Sequence, residues 1–214
     1  MLAVNRRVQQ KARFVKFHRR STSPASRVAI FPGSFNPPTV AHLALAHAAL
    51  AHADEVVFIL PQAFPHKDFS GVDFAGRLEL LLAAADHPRF TIATTAGGLF
   101  LDIAHELRPH YSEAAFQFLC GRDAAERILD WPYPAPGMLE RMFQAFGLLV
   151  AARAGHYQPP ALYAEAIIAL KLETDLSHIS ATQVRQLIEA QGDWQSLIPA
   201  AIAPRVARLY GPPR

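Results

Sequence analysis

From residue 27 onward, runs of consecutive apolar residues alternate with stretches whose apolar positions recur at helical spacing. The runs at 28–31, 55–60, 90–94, 116–120 and 147–152, among them EVVFIL and FGLLVAA, predict β-strands. They are apolar at successive positions rather than at every second one, which is the pattern of strands covered on both faces in a parallel sheet. Helical spacing appears at 40–53, 74–85, 100–107 and 124–129. It returns in the C-terminal stretches PALYAEAIIALKL (160–172), SATQVRQLIEAQG (180–192) and PAAIAPRVARLYG (199–211). The alternation predicts an α/β protein with a parallel sheet of about five or six strands, helices on both faces and a C-terminal helical region. Crossovers in such a sheet are right-handed, and ligands sit at the carboxyl ends of the strands, where the strand order switches. WPYPAPG, 131–137, carries three prolines and predicts an exposed loop.

Composition changes this picture only at the N-terminus. Half of the 214 residues are hydrophobic, so a packed core is expected, and the length suits one domain over 27–214. The net charge of +3 comes from residues 1–26, which hold seven Lys or Arg and no acid, leaving fourteen basic against eighteen acidic residues in the remainder. A mildly acidic body gives no support to nucleic-acid binding. The basic segment reads as a disordered tail, an upstream start or a transit peptide. Its irregularly spaced charges hold no clean helical face, which makes the tail the expected reading. No apolar run approaches the roughly 20 residues that span a bilayer, and none resembles a secretory signal. Cys120 stands alone, so no intramolecular disulfide forms and a reducing, cytoplasmic setting is the default.

Two segments carry candidate chemistry. In VAIFPGSFNPPTVAH the first strand ends at Phe31, Gly33 lets the backbone approach a ligand, and Thr39 is placed to cap the following helix. Free amides and the positive pole at that helix start make an anion site, with Thr39 and His42 three residues apart on one face. On the turn alone, a plain strand–turn–helix with a capping threonine fits as well. Neither GxxxxGK[ST] nor GxGxxG is present. In HISATQVRQLIEAQG, Ser180 is the expected N-cap, and Thr182 and Arg185 share a face. An arginine in the opening turns opposes the helix dipole at roughly 0.3–1 kcal/mol unless an anion lies nearby. An ion pair with Glu189 is the structural alternative, but Arg preceding Glu is the weaker orientation, and a bound phosphate is preferred.

These segments, with three between them, resemble the nicotinate/nicotinamide mononucleotide adenylyltransferases, members of the nucleotidyltransferase superfamily. Gly33-Ser34-Phe35-Asn36-Pro37-Pro38-Thr39-Val40-Ala41-His42 is similar to that family's GSF-(D/N)-P-x-(H/T)-x-x-H. Ile179-Ser180-Ala181-Thr182-Gln183-Val184-Arg185 is similar to I-S-S-T-x-(I/V)-R. LPQAFPHK with its downstream Arg77-Leu78, the GRD of FLCGRDAAERILDW with its trailing Trp131, and LLVAARAG occupy the expected order between them. The resemblance implies a Rossmann-like nucleotidyltransferase fold and an enzyme that joins ATP to nicotinate or nicotinamide mononucleotide, releasing pyrophosphate. It implies His42, Thr39 and Arg185 as catalytic groups, and Gly33, Ser34, Phe35, Asp123, Arg153, Ser180 and Thr182 around ATP. For the mononucleotide it implies Lys67, Asp102 and Trp131. Mg²⁺ would be held mainly by the phosphates, with no protein side chain as ligand; the partners are these small molecules, with no nucleic acid or membrane and a possible homo-oligomer.

Some positions depart from the pattern. Ala41 and Ala181 replace a glycine and a serine, and Gly98, Leu99 and Phe100 stand where acid-using relatives carry Ser-Tyr-Thr. A different phosphorylated acceptor, or a catalytically weak nucleotide-binding protein, are therefore the alternatives. Duller roles exist for single residues too: Trp131 as an anchor of the proline loop, Lys67 as a solvated charge, Asp123 as a helix cap, Arg153 as surface. His42, His47 and His52 fall at five-residue steps, about 140° apart around a helix, and do not form a zinc face. Cys120 reads as a small core residue rather than a nucleophile.

Overall fold

A computed structural model describes residues 15–63, 71–152, 157–172, 174–176 and 178–211. In chain order these form β1 Lys16–Arg19, β2 Arg27–Pro32, α1 Val40–Ala49, β3 Glu55–Pro61, α2 Phe74–Ala84, β4 Phe90–Thr95 and α3 Phe100–Leu107. There follow β5 Ala115–Gly121, α4 Arg122–Leu129, α5 Met138–Ala145, β6 Gly147–Ala151, β7 Ile167–Leu170, α6 Ala181–Glu189 and α7 Ala203–Tyr210. The seven strands lie in the order β1-β4-β3-β2-β5-β6-β7. All pair in parallel except β1, which runs antiparallel to β4. Without β1, the parallel strands count off as 3-2-1-4-5-6, the doubly wound order, and the reversal falls between β2 and β5. The carboxyl ends of those two strands therefore border a crevice.

Alternate residues of each strand feed two cores. Val28, Ile30, Val57, Ile59, Phe116 and Phe118 face α3 and α5, while Ala29, Phe31, Val56, Phe58 and Leu60 face α1 and α2. A third cluster, Leu80, Val184, Ile188, Trp194, Ile202 and Val206, packs α6 and α7 against α2. The C-terminal helical region is thus welded to one layer of the sandwich by apolar burial. Among the described residues no helix is long and apolar enough to cross a membrane.

The structure corrects three expectations. There are seven strands rather than five or six, because both ends of the sheet gain one. At the first end, residues 15–26 depart from the disordered-tail expectation; residues 1–14 lie outside the described residues. Phe17 packs edge-on against Tyr111, and His18 hydrogen-bonds Thr94 Oγ1 at 3.1 Å. The Arg20 guanidinium lies 4.7 Å over the Phe17 ring and 5.2 Å from that of Tyr111. Arg19 and Arg20 also donate to the carbonyls of Leu82 and His110, each at 3.1 Å. At the other end, 160–172 is not a helix but a 3-10 turn, Ala161–Tyr163, followed by β7. The adjacent β-branched Ile167 and Ile168 suit a strand, and the open edge of β6 supplies the partner. Finally, α5 arises between the proline loop and β6, where no element was predicted.

One polar pair is sealed at the amino ends of the strands. Tyr111 donates its hydroxyl to Glu55 Oε1 at 2.7 Å, with both residues buried. Burial and the adjacent carboxylate push the Tyr111 hydroxyl above the usual tyrosine range. The folded protein therefore holds this proton more tightly than the unfolded chain does. Its contribution to stability is complete below pH ~10 and is lost as the pH rises beyond it. Tyr111→Phe, which strips the buried carboxylate of its donor, is expected to cost about 1–3 kcal/mol in urea unfolding at neutral pH; an unchanged midpoint would show that the pair contributes nothing.

Candidate active site

The loop that leaves β2 is shaped by close packing. Gly33 donates its amide to Ile59 O at 3.0 Å, and a Cβ there would lie 2.7 Å from the Phe35 ring. Phe35 adopts a left-handed φ of 44° and is buried edge-on against Phe31, 5.5 Å away. This tight turn brings the chain to Thr39, the N-cap of α1, as its sequence position predicts. Thr39 and His42 form a reciprocal cap: Thr39 Oγ1 accepts the His42 amide at 3.4 Å, and the Thr39 amide donates to His42 Nδ1 at 3.0 Å. Because Nδ1 accepts, the proton of the neutral imidazole belongs on Nε2, which makes that atom a donor. Thr39 Oγ1 itself lies 2.7 Å from Nδ1. The threonine hydroxyl is therefore spent on orienting His42.

Three distant elements grip this loop. Arg185, in the second turn of α6, donates Nη1 to Asn36 O at 2.6 Å and Nη2 to Thr182 Oγ1 at 3.3 Å. Its partner is the loop, so the Glu189 alternative is not the arrangement found. Arg77 of α2, 2% exposed, donates Nη1 to Ser34 O at 3.2 Å. Burial lowers the Arg77 pKa from its ordinary value. Tyr210, the last residue of α7, donates its hydroxyl to Asn36 Oδ1. Ser180 caps α6 as predicted, its Oγ accepting the Gln183 amide at 3.1 Å.

The result is a concentration of positive potential. Two helix N-termini and two guanidinium groups meet at the carboxyl end of β2, and neither α1 nor α6 has an acidic residue in its first turn. Backbone carbonyls satisfy part of the guanidinium donor sets. Helix starts and guanidinium groups of this kind attract anions.

Of the other expected site residues, Asp102, Asp123 and Trp131 lie on the segments that follow β4 and β5. Asp123 lies exposed in the first turn of α4, directly after β5; the N-cap is Gly121, so Asp123 is not the cap. Asp102 occupies the first turn of α3, after β4, and Trp131 follows α4 with 48% of its surface exposed. Lys67 and Arg153 lie outside the described residues. Phe100, at a position where polar chemistry was sought, stacks on Phe118 at 4.3 Å and belongs to the core, whereas Leu99 is exposed. His47 packs against His87 and Phe90, away from His42. Among the described residues no group of three His, Cys, Asp or Glu is arranged to hold a metal ion. Cys120 is buried, and burial pushes its thiol up to about 12, which leaves it protonated and inert. Sequence reasoning placed Asn36 and Arg77 within motif segments without giving either a role, and missed Tyr210 altogether. No local pattern marks a tyrosine at the end of an amphipathic helix.

A doubly wound sheet with an anion cradle at its switch point defines a nucleotide-handling α/β protein of the Rossmann-like class. The chain belongs to the cytidylyltransferase-like family, whose model matches residues 30–187. It is similar to a probable nicotinate-nucleotide adenylyltransferase of Syntrophotalea carbinolica, 28% identical over 207 residues, covering 82% of this chain and 92% of that one. It is also similar to one from Geobacter sp. (strain M21), 29% identical over 218 residues and covering 86% and 98%. Among solved structures, the nicotinic acid mononucleotide adenylyltransferase of Plasmodium falciparum complexed with NaAD shares the fold, with a TM-score of 0.63, 17% identity and coverage of 86% and 97%.

Thr39→Val removes both the helix cap and the contact that orients His42. It is expected to cost about 1 kcal/mol of stability. Its imidazole resonances in NMR spectra are expected to lose the single-tautomer signature of the wild type; retention of that signature would mean that the backbone amide suffices.

Proposed function

We propose that this protein transfers AMP from ATP to nicotinate mononucleotide, giving the dinucleotide and pyrophosphate. The observation that carries the reading is the 2.6 Å bond from Arg185 to Asn36 O, which joins the start of α6 to the loop before α1 and makes one phosphate cradle of two helix termini. The names of the curated relatives support the acceptor. An oxygen of the mononucleotide phosphate attacks the α-phosphorus of ATP, a new P–O bond forms, and the bond to the pyrophosphate oxygen breaks. No covalent intermediate on the protein is needed, so its work is positioning and charge neutralisation.

In this reading His42 Nε2–H and the amides of the loop donate to the oxygens on which charge builds, and Arg185 faces the departing phosphates. Ser180 and Thr182 act by fixing the start of α6 and the Arg185 fork. Asp123 takes the ribose of ATP. The exposed ring of Trp131 stacks on the pyridine, with Asp102 nearby. Mg²⁺ takes oxygen ligands, and the groups that bond to the loop are mainly imidazole, guanidinium, hydroxyl and amide. This set fits a Mg²⁺ ion carried on the triphosphate oxygens better than one held by protein side chains. The buried, protonated Cys120 suits a reducing, cytoplasmic setting.

A second reading, transfer to another phosphorylated acceptor, rests on the exposed Leu99 and core-bound Phe100 where polar groups were sought. Pyrophosphate release from Mg-ATP in the presence of nicotinate mononucleotide, nicotinamide mononucleotide and other phosphorylated acceptors separates the two. Fastest release with the nicotinate form is expected; release only with an unrelated acceptor overturns the proposal in favour of the second reading. His42→Ala is expected to lower turnover by about 10²–10³-fold while the melting temperature falls by only a few degrees, the cost of its half of the α1 cap. An unchanged rate would remove His42 from the mechanism.

A further inference from the structure

We propose that Tyr210 is a positioning residue of the phosphate cradle, acting through Asn36 on Arg185. The inference rests on the functional reading above. Asn36 is 4% exposed and lies between Phe35, held at a left-handed φ, and the two prolines. Asn36 carries two attachments at once. Its backbone carbonyl accepts from Arg185 Nη1, and its side-chain carbonyl accepts the Tyr210 hydroxyl. The residue whose carbonyl orients Arg185 is thereby also tied, through its side chain, to the last residue of α7.

The surroundings of Tyr210 favour a donor role. Burial pushes its hydroxyl above the usual tyrosine range, against the opposing pull of the Arg185 and Arg77 charges, so at physiological pH it is a neutral phenol with a proton to give. Arg77 and Arg185 are the charged groups facing it from α2 and α6. A neutral donor holds the Asn36 side chain without placing an anion beside Arg185, where it would compete with phosphate. Gly71, at φ +102°, passes close by: a Cβ there would stand 3.8 Å from Asn36 Nδ2 and 4.0 Å from Arg185 Cδ.

The rest of α7 explains why its end is a dependable anchor. Arg205 and Arg208 pair with Glu79 of α2 at 3.3 and 2.7 Å, and Val206 is buried in the third core cluster. Arg77, which holds Ser34 O, lies two residues from Glu79 on the same helix. The α2–α7 unit therefore clamps the loop at two points, Ser34 through Arg77 and Asn36 through Tyr210, and Arg185 is tuned by the second.

The test uses Tyr210→Phe, which keeps the ring and removes only the hydroxyl, beside Leu209→Ala, which loosens the same helix from the third cluster without touching Asn36. Affinity for inorganic tripolyphosphate is measured by calorimetry, and KM and kcat by pyrophosphate release. Tyr210→Phe is expected to weaken tripolyphosphate about tenfold, the order of one lost hydrogen bond to a buried polar group. It is also expected to raise KM for ATP by a similar factor, leaving KM for the acceptor unchanged. Leu209→Ala is expected to lower the melting temperature while tripolyphosphate affinity stays within twofold. Equal tripolyphosphate affinity in wild type and Tyr210→Phe overturns the inference, as does equal weakening by both variants or no binding by the wild type. Because tripolyphosphate binding needs no acceptor, failure of every mononucleotide to react would overturn the proposed reaction and leave this measurement standing.

Discussion

The hydrogen bond from Arg185 to the Asn36 carbonyl closes a loop of 149 residues and fixes where everything else at the site can be. Chain entropy opposes so long a closure. It is met by apolar burial: the third core cluster brings α6 and α7 onto α2, and the arginine arrives over the loop as a consequence. The constraint is one of charge as much as of distance. A guanidinium near a helix N-terminus is at odds with the helix dipole, and this one offsets that cost by donating to a carbonyl and a hydroxyl. The polar site is thus a by-product of hydrophobic packing elsewhere, which is the usual economy of doubly wound proteins.

Local chemistry was legible in the sequence. Both caps, Thr39 and Ser180, were readable because a cap is a matter of one side chain and an amide three residues on. The central strands were readable because their apolar runs are continuous, and Arg185 stood out because its charge had no good local partner. That the sheet is parallel followed from the alternation of strands and helices; the order of its strands did not.

What escaped was set by distance along the chain. Arg77 reaches Ser34 across 43 residues and Tyr210 reaches Asn36 across 174, and no periodicity registers such bonds. The two edge strands escaped for a related reason. Residues 167–170 take strand form because β6 has an unfilled edge, and residues 16–19 because β4 does. Their own composition, basic in one case and flanked by helix-forming alanines in the other, pointed elsewhere. Phe100 shows the converse: a position where polar chemistry was sought is instead drawn inward by the flat face of Phe118.

The antiparallel outer strand has a bearing on solubility. A doubly wound sheet that ended at β4 would offer a bare row of amides and carbonyls to any passing chain, an invitation to fibril-like stacking. Instead the rim is a four-residue ribbon carrying Lys16 and Arg19, with a register shift between Phe17 and Arg19 that breaks its regularity. Like charges and an uneven hydrogen-bond ladder make that border a poor template for self-association.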